Sequence, residues 1–328
     1  MNRLFLGFDT SVYTTSIGAV DENNNVVLDL RKMLVVKKGD RGLRQQEAVF
    51  QHVNNLPILI EEASRKIDFK SVASITVSTK PRSVKSSYMP VFKVGEGHAY
   101  SLSKALGIEY NITSHQDGHI GSVYVDNVIK EKKSKNFLAL HISGGTTELL
   151  KVEETEETYD IDIIGGTKDI SAGQLIDRIG VKMGLEFPSG KEIDELSQSG
   201  EILENVPIST NKTWLNFSGT ETYFQKIIEE ESIGKNAIAQ SLLYTIAYSL
   251  KRIITSALDD YNIDNTVIIG GVSANSYIRS VLQEISKNKP QHKIYFPDIK
   301  YSTDNSVGVA YIGSKIWRQK HGIESIKG

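Results

Sequence analysis

His115 and His119 are the pair in this chain whose types and spacing most directly permit chemistry. They stand four apart in Ser114-His115-Gln116-Asp117-Gly118-His119, a segment that reads as helix directly after a strand. Both imidazoles therefore leave one face of the first helical turns and can share a metal ion, although ordinary packing or surface histidines also occur at this spacing. A zinc-protease helix needs a glutamate base directly after the first His, and position 116 is Gln, which argues against a protease. A second set consists of small residues: Thr10, Ser11, Thr14 and Thr15 near the start, and Ser143, Gly144, Gly145, Thr146 and Thr147 farther on. Such turns leave backbone N–H groups and hydroxyls accessible to phosphate oxygens; otherwise they are plain hairpin turns. Ile268-Ile269-Gly270-Gly271-Val272-Ser273-Ala274-Asn275 is a strand running into a Gly pair, which suits the flat approach of a nucleoside but is weak alone. Asp304, just before the last expected helix, has the default reading of an N-cap.

The elements that must position these residues form a repeat. Residues 4–17 lie over residues 136–149, each copy a hydrophobic strand that stops at the small residues and resumes as another strand. The first half predicts strands over Phe5–Phe8, Ser16–Val20 and Val26–Leu34, a helix over Gln45–Lys66, the strand Ser74–Ser78, a helix around Val94–Leu106, the strand Ile108–Ile112 and a helix from Ser114. The second predicts strands Phe137–His141, Glu148–Val152 and Tyr159–Ile164 and a helix Ser171–Met183. After an insertion come a helix near Ile238–Tyr261, the strand Thr266–Ile269, a helix Ala274–Ser286, the strand Lys293–Phe296 and a last helix from Asp304. Both halves read βββαβαβα, the order of the ribonuclease-H-like module. Two in tandem give the α/β architecture of actin, Hsp70 and sugar kinases (ASKHA), with a central interdomain cleft in which a nucleotide is expected. The expected domains are 1–133 and 134–328, the second with a helical insertion at about 185–235 and a last helix packing back on the first.

Composition sets limits. A chain of 328 residues suggests two cores, and a net charge of −2 gives no global pull toward nucleic acid or anionic lipid. The absence of cysteine excludes disulfides, thiolate metal sites and thiol nucleophiles. Asp9 interrupts the first apolar stretch, so no signal peptide and no membrane span are expected, and the reading is cytoplasmic. Lys80, Arg82 and Lys85 could face tRNA phosphates, or form a solvated turn. His52, His98, His292 and His321 have no partner at metal-ligand spacing and read as structural or exposed; Trp214 and Trp317 read as packing residues. A kinase of this fold needs an acid for Mg²⁺ and for the acceptor proton, and only Asp9 and Asp177 stand out as candidates.

His115-x-x-x-His119, Ser143-Gly144-Gly145, Ala172-Gly173 followed by Asp177, Phe187-Pro188-Ser189-Gly190, Gly270-Gly271-Val272-Ser273-Ala274-Asn275 and Thr303-Asp304-Asn305 together resemble the TsaD (Gcp, glycoprotease) family, in order and approximate spacing, from Leu6 to Gly313. The resemblance implies transfer of a threonylcarbamoyl group from its adenylate to N6 of the adenosine beside the anticodon of certain tRNAs. It implies that His115, His119 and Asp304 bind a divalent metal, iron or zinc. It further implies that His141, Ile142, Ser143, Gly144 and Gly145 line the adenylate and acyl group, that Asp177 and Gly190 hold the ribose, and that Asn275 faces the base. A protein partner of the same fold would dock through the first-domain helices, the helix Gln45–Lys66 above all. Two imidazoles and a carboxylate leave coordination positions for a carbonyl oxygen, and the adenylate is a good leaving group, so no covalent protein intermediate is needed. The chain departs from the family pattern at Tyr13 and Thr14, where the family has Asp-Glu, and at Thr146, where it has His. The loop over 79–85 replaces Gly-Pro-Gly, and Asn216-Phe217-Ser218-Gly219 is shortened. These departures suit a diverged member. The alternatives are a non-catalytic nucleotide-binding partner or regulator of the same fold, or a carbamoyltransferase with a different acceptor.

Overall fold

The computed structural model describes residues 3–36, 43–84, 86–127, 135–156 and 158–323. Tertiary contacts divide the chain into two units, one of residues 1–133, 154–160 and 303–328 and one of residues 134–153 and 161–302.

The first unit begins with β1 (Leu4–Thr10), β2 (Thr14–Asp21) and β3 (Val26–Met33), then α1 (Gln45–Lys66), β4 (Val72–Ser78), α2 (Phe92–Leu106), β5 (Glu109–Thr113) and α3 (His115–Gly121). Its sheet runs β3-β2-β1-β4-β5, with β1 to β3 antiparallel and β4 and β5 parallel to β1. Alternation along β1 decides which face each residue serves. Leu6 and Phe8 join a core with Leu56, Leu59 and Ala63 of α1 and Ala99 of α2. Phe5, Gly7 and Asp9 point the other way, where Phe5 meets Trp317 with ring centroids 5.6 Å apart. Asp9 is thereby carried to the face on which α3 lies.

The second unit contains β6 (Asn136–Ile142), β7 (Thr147–Glu154), β8 (Tyr159–Thr167), α4 (Ala172–Lys182), α5 (Gly190–Ser197), β9 (Thr210–Asn211), β10 (Trp214–Leu215), α6 (Ser218–Glu229), α7 (Lys235–Tyr261), β11 (Asn265–Ile269), α8 (Ser276–Asn288), β12 (Lys293–Tyr295) and α9 (Ile299–Ser302). The last helix, α10 (Val307–Lys320), belongs to the first unit and packs on β1 and α3. The second sheet runs β12-β11-β6-β7-β8-β10-β9. Its first five strands repeat the order of the first sheet, with β7 antiparallel to β6 and β11 and β12 parallel to it, so the duplicated module read from the sequence is present in both sheets. The insertion is not purely helical: β9 and β10 form a short ribbon, and β10 extends the sheet by pairing in parallel with β8. Leu138, Leu140 and Ile142 of β6 enter a large core with Ile179 of α4, Leu242, Ile246 and Leu250 of α7 and Leu282 of α8. His141, at an alternate position, faces away from that core.

Asp169 ties the insertion to the sheet. Its carboxylate accepts from the backbone N–H groups of Phe217 (2.8 Å) and Ser218 (3.0 Å), which open α6, and from Ile170 N (2.7 Å). Burial opposes ionisation, but these donors prevail and hold the carboxyl far below the usual range. A depressed folded value means that the contribution is complete above the unfolded pKa of about 4 and is lost progressively as pH falls from there through the folded value. Asp169→Ala is expected to cost about 1–2 kcal/mol at neutral pH. Urea titrations at pH 7 and pH 3 should show that cost shrinking in acid; an equal cost at both pH values contradicts the assignment.

Two sequence expectations about helix starts change. The last helix begins at Val307, not Asp304, because Asn305 does the capping, its Oδ1 accepting from Val307 N over 3.1 Å. Asp304 is consequently not an N-cap. The helix expected from Ala274 begins at Ser276, since Asn275 Oδ1 accepts from Ile278 N over 2.9 Å and residues 271–274 form a 3-10 turn.

Candidate metal and nucleotide sites

Helix α3 owes its position to its own sequence. Ser114 and Asp117 form a capping box: Asp117 N donates to Ser114 Oγ over 3.1 Å, and Ser114 N donates to Asp117 Oδ2 over 3.3 Å. The next two amides are held by the loop after β4, His115 N donating to the Lys80 carbonyl (2.9 Å) and Gln116 N to the Pro81 carbonyl (3.0 Å). The loop over 79–82 thus orients the helix that carries the histidines. Lys80 and Arg82 of the expected basic patch are half-buried, and Lys85 lies outside the described residues.

Asp304 comes to the two histidines from the loop before α10. His115 Nε2 and His119 Nε2 are 3.1 Å apart, and each is 3.5 Å from Asp304 Oδ1. The point equidistant from these three atoms in their plane is about 2.0 Å from each, the length of a zinc–nitrogen or zinc–oxygen bond. The donor set, two imidazole nitrogens and a carboxylate oxygen, suits a divalent cation of the zinc or iron type. Two residues orient the donors. Asp9, fully buried, accepts from His115 Nδ1 over 2.9 Å and from the Ser78 hydroxyl, so Nε2 of His115 is left as the donor to a cation. Ser11 donates its hydroxyl to Asp304 Oδ2 over 2.6 Å, leaving Oδ1 toward the imidazoles.

The surroundings shift the two imidazoles in opposite directions. Burial opposes protonation of His115, but the carboxylates of Asp9 and Asp304 overcome it and raise its pKa well above the ordinary value. His119 is lowered by burial and by its charged neighbour His115. Asp304, despite burial, is held well below the carboxylate range by the two imidazoles. The carboxylate of Asp9 favours a cation at the triad through His115. Asp9→Asn removes that charge while keeping the shape, and is expected to weaken divalent-metal binding about 10- to 100-fold in a chelator competition; unchanged affinity would remove Asp9 from the site.

The α3 and α10 backbones approach so closely that only glycine fits between them. A Cβ on Gly308 would overlap the Gly118 carbonyl oxygen and lie 2.5 Å from Ser122 N. Asp117 anchors the same helix laterally, its Oδ2 also accepting from Ser83 Oγ (2.6 Å), Thr113 Oγ1 (3.1 Å) and Thr158 Oγ1 (3.3 Å).

The second unit gathers the other candidates around the carboxyl ends of β6 and β11, which are parallel neighbours. The turn Ser143–Thr146 is closed by Ser143 N donating to the Thr146 carbonyl over 2.8 Å and by Thr146 N donating to Ser143 Oγ over 3.1 Å. Gly144 and Gly145 are exposed, and nothing lies within 4 Å of a Cβ built on either, so this backbone is open to a ligand. Helix α4 docks on the turn: Ser171 Oγ donates to the Gly144 carbonyl (2.7 Å) and Ala172 N to Thr147 Oγ1 (2.8 Å). Gly270, at φ 92°, lies against the Ile142 carbonyl, and a Cβ there would be 2.9 Å from the His141 ring. The Ile142 side chain is buried in the core, and its backbone pairs with Thr147 of β7. Asp177 accepts from Ser189 N over 2.8 Å, next to Gly190, and burial pushes its carboxyl up against that hydrogen bond. The side-chain Oδ1 of Asn275 is engaged in capping α8.

The sequence marks Ser11 only as part of a small-residue turn and Asp9 only as a kinase acid and a break in the first apolar stretch, and it assigns Asp117 no role. The Ser114-x-x-Asp117 spacing was a readable capping-box signal. Nothing local ties Ser11 to Asp304, its partner almost the whole chain away.

Fold and cluster define a protein of the actin, Hsp70 and sugar-kinase class with a His–His–carboxylate triad in its first unit. Among solved structures, full-length HypF in its phosphate- and nucleotide-bound form superposes with a TM-score of 0.60 at 13% identity, covering 99% of this chain and 47% of that one. A ROK family glucokinase from Streptomyces griseus, in complex with glucose and AMPPNP, gives 0.52 at 10% identity, covering 95% and 98%. At such identities the likeness establishes the fold alone. The family model TsaD, tRNA N6-adenosine threonylcarbamoyltransferase, matches residues 31–311, and the chain belongs to that family. Relatives of that description include proteins from Thermosipho africanus, 29% identical over 333 residues (98% of this chain, 96% of the relative), and Mycoplasmopsis agalactiae, 29% identical over 327 residues (96% and 99%). Among the described residues no helix is long and apolar enough to cross a membrane.

Proposed function

We propose that this protein is a metal-dependent transferase that moves a threonylcarbamoyl group from its adenylate to N6 of the adenosine next to the anticodon in tRNA. Family membership supports the reaction class. The observation that carries the metal dependence is the triangle of His115, His119 and Asp304. When bound there, a divalent iron or zinc ion would polarise a carbonyl oxygen. The new bond joins N6 to the carbamoyl carbon, the bond from that carbon to the adenylate oxygen breaks, N6 gives up a proton, and AMP leaves. The roles of this chain are to hold and orient. Asp9 and Ser11 fix the donor atoms of His115 and Asp304; the Ser143–Thr146 turn, with its open glycines, would receive the phosphate and acyl group; Asp177 and Gly190 would hold the ribose, and Asn275 would stand by the base. tRNA is the proposed macromolecular substrate, and the outer face of α1 the proposed docking surface for a protein of the same fold. Its proposed location is the cytoplasm. The triad and its supporting carboxylate favour this reading over a non-catalytic nucleotide-binding partner or a carbamoyltransferase with another acceptor.

The test supplies purified protein with threonylcarbamoyl adenylate and unmodified tRNA, and reads modified adenosine by nucleoside mass spectrometry. Transfer that is abolished by a chelator and restored by Zn²⁺ or Fe²⁺ is the expected result. Transfer indifferent to the chelator overturns the metal dependence, and absence of transfer from the metal-loaded protein overturns the activity.

A further inference from the structure

A line of buried hydrogen bonds runs from α1 to the residue that holds Asp304. Asn55 Nδ2 donates to Thr15 Oγ1 over 3.2 Å, Thr15 Oγ1 lies 2.8 Å from His52 Nδ1, and His52 Nε2 lies 2.8 Å from the Ser11 carbonyl oxygen. Ser11 in turn donates its hydroxyl to Asp304 Oδ2 over 2.6 Å. His52 and Thr15 are fully buried, and Ser11 and Asn55 nearly so.

The chemistry of the partners fixes the direction of every proton. A carbonyl oxygen can only accept, so His52 Nε2 carries the hydrogen. Burial lowers the pKa of His52, which keeps the ring neutral and makes Nδ1 an acceptor. The Thr15 hydroxyl therefore donates to Nδ1, and its oxygen accepts from Asn55. A buried imidazole costs free energy unless both ring nitrogens are paired, and an apolar residue could fill the same space without that requirement. What the imidazole supplies and an apolar residue cannot is a fixed Ser11 peptide plane.

We infer that His52 is a positioning residue of the triad in the first unit: by holding the Ser11 carbonyl it sets the Ser11 hydroxyl on Asp304 Oδ2 and leaves Oδ1 for the cation. This inference rests on the metal reading above. His52 touches no triad residue and acts only through Ser11.

The test measures the dissociation constant of Zn²⁺ alone by competition with a chromophoric chelator, using the full chain. His52→Phe and Ser11→Ala are each expected to weaken Zn²⁺ binding about tenfold, the scale of outer-shell effects at metal sites. His52→Gln, whose Nε2 amide can donate to the same carbonyl, is expected to recover most of that loss. Because both changes break one line, the double variant should be within about twofold of the weaker single variant, whereas independent sites would multiply. A purely structural role would lower the Tm without moving the Zn²⁺ constant. Wild-type affinity in His52→Phe, or multiplying effects in the double variant, overturns the inference. Should His52→Phe not fold, Thr15→Val serves: it removes the proton given to Nδ1 at nearly constant volume. It should weaken Zn²⁺ several-fold and move the ring ¹⁵N shifts away from a pure Nε2–H tautomer; unchanged affinity overturns the inference here too. Wild-type protein that binds no Zn²⁺, with His115→Ala indistinguishable from it, overturns the metal reading itself and is told apart from the other outcomes by that control.

Discussion

Replacing His119 with alanine is expected to lower the affinity for Zn²⁺ or Fe²⁺ by two to three decades, and threonylcarbamoyl transfer with it. The magnitude follows from dividing the roughly 10–16 kcal/mol that a four-ligand protein site gives zinc among its ligands, about 2.5–4 kcal/mol each. His119 has less replaceable support than a surface donor: it is buried, its Nε2 faces both His115 Nε2 and Asp304 Oδ1, and α3 holds it rigidly. Metal content by mass spectrometry and a chelator competition decide the matter. A variant that keeps its metal shows that the three side chains meet for another reason, such as an imidazole–carboxylate network that only secures α10. Since a cation competes with protons for the imidazole nitrogens, binding should also strengthen as pH rises from acid toward neutral.

Gly308→Ala is expected to be among the most damaging single-methyl additions in the first unit. The new Cβ would overlap the Gly118 carbonyl oxygen, which is helix backbone and cannot rotate away as a flexible side chain would. Overpacking ordinarily costs about 1–3 kcal/mol, and backbone against backbone puts this case at or above the top of that range. The strain also has a direction: it pushes α10, and with it the loop bearing Asp304, away from α3. Loss of metal affinity should therefore exceed what the fall in stability alone explains. Gly144→Ala, whose Cβ meets nothing within 4 Å, is the control, expected to leave Tm within about 1 °C. Equal Tm values for the two variants would mean that the helices separate without cost.

Sequence patterns reveal what is local or repeated. The strand pattern at 4–17 and 136–149 located both sheets, because alternation and small-residue turns are short-range signals; the seven-stranded second sheet was missed since β9 and β10 are two residues each. His115 and His119 were legible because one helix carries both. Asp304 looked like an N-cap, a reading that an Asp before a helix invites, and only the position of Asn305 Oδ1 shows who does that work. The supports of the site were unreadable for a common reason. Asp9 and His115, Ser11 and Asp304, and Gly118 and Gly308 are each more than a hundred residues apart, and no single sequence records which distant backbones must touch.

The arrangement of the first unit has a consequence for how the protein comes into being. Residues 303–323 cover the side of the first sheet to which Asp9 points, yet the ribosome makes them only after the entire second unit. A growing polypeptide holds five strands whose side bearing Phe5 and Gly7 is without α10 throughout the synthesis of residues 134–302. Docking of α10 therefore waits until the second unit has been made, and the approach of Asp304 to α3 waits with it.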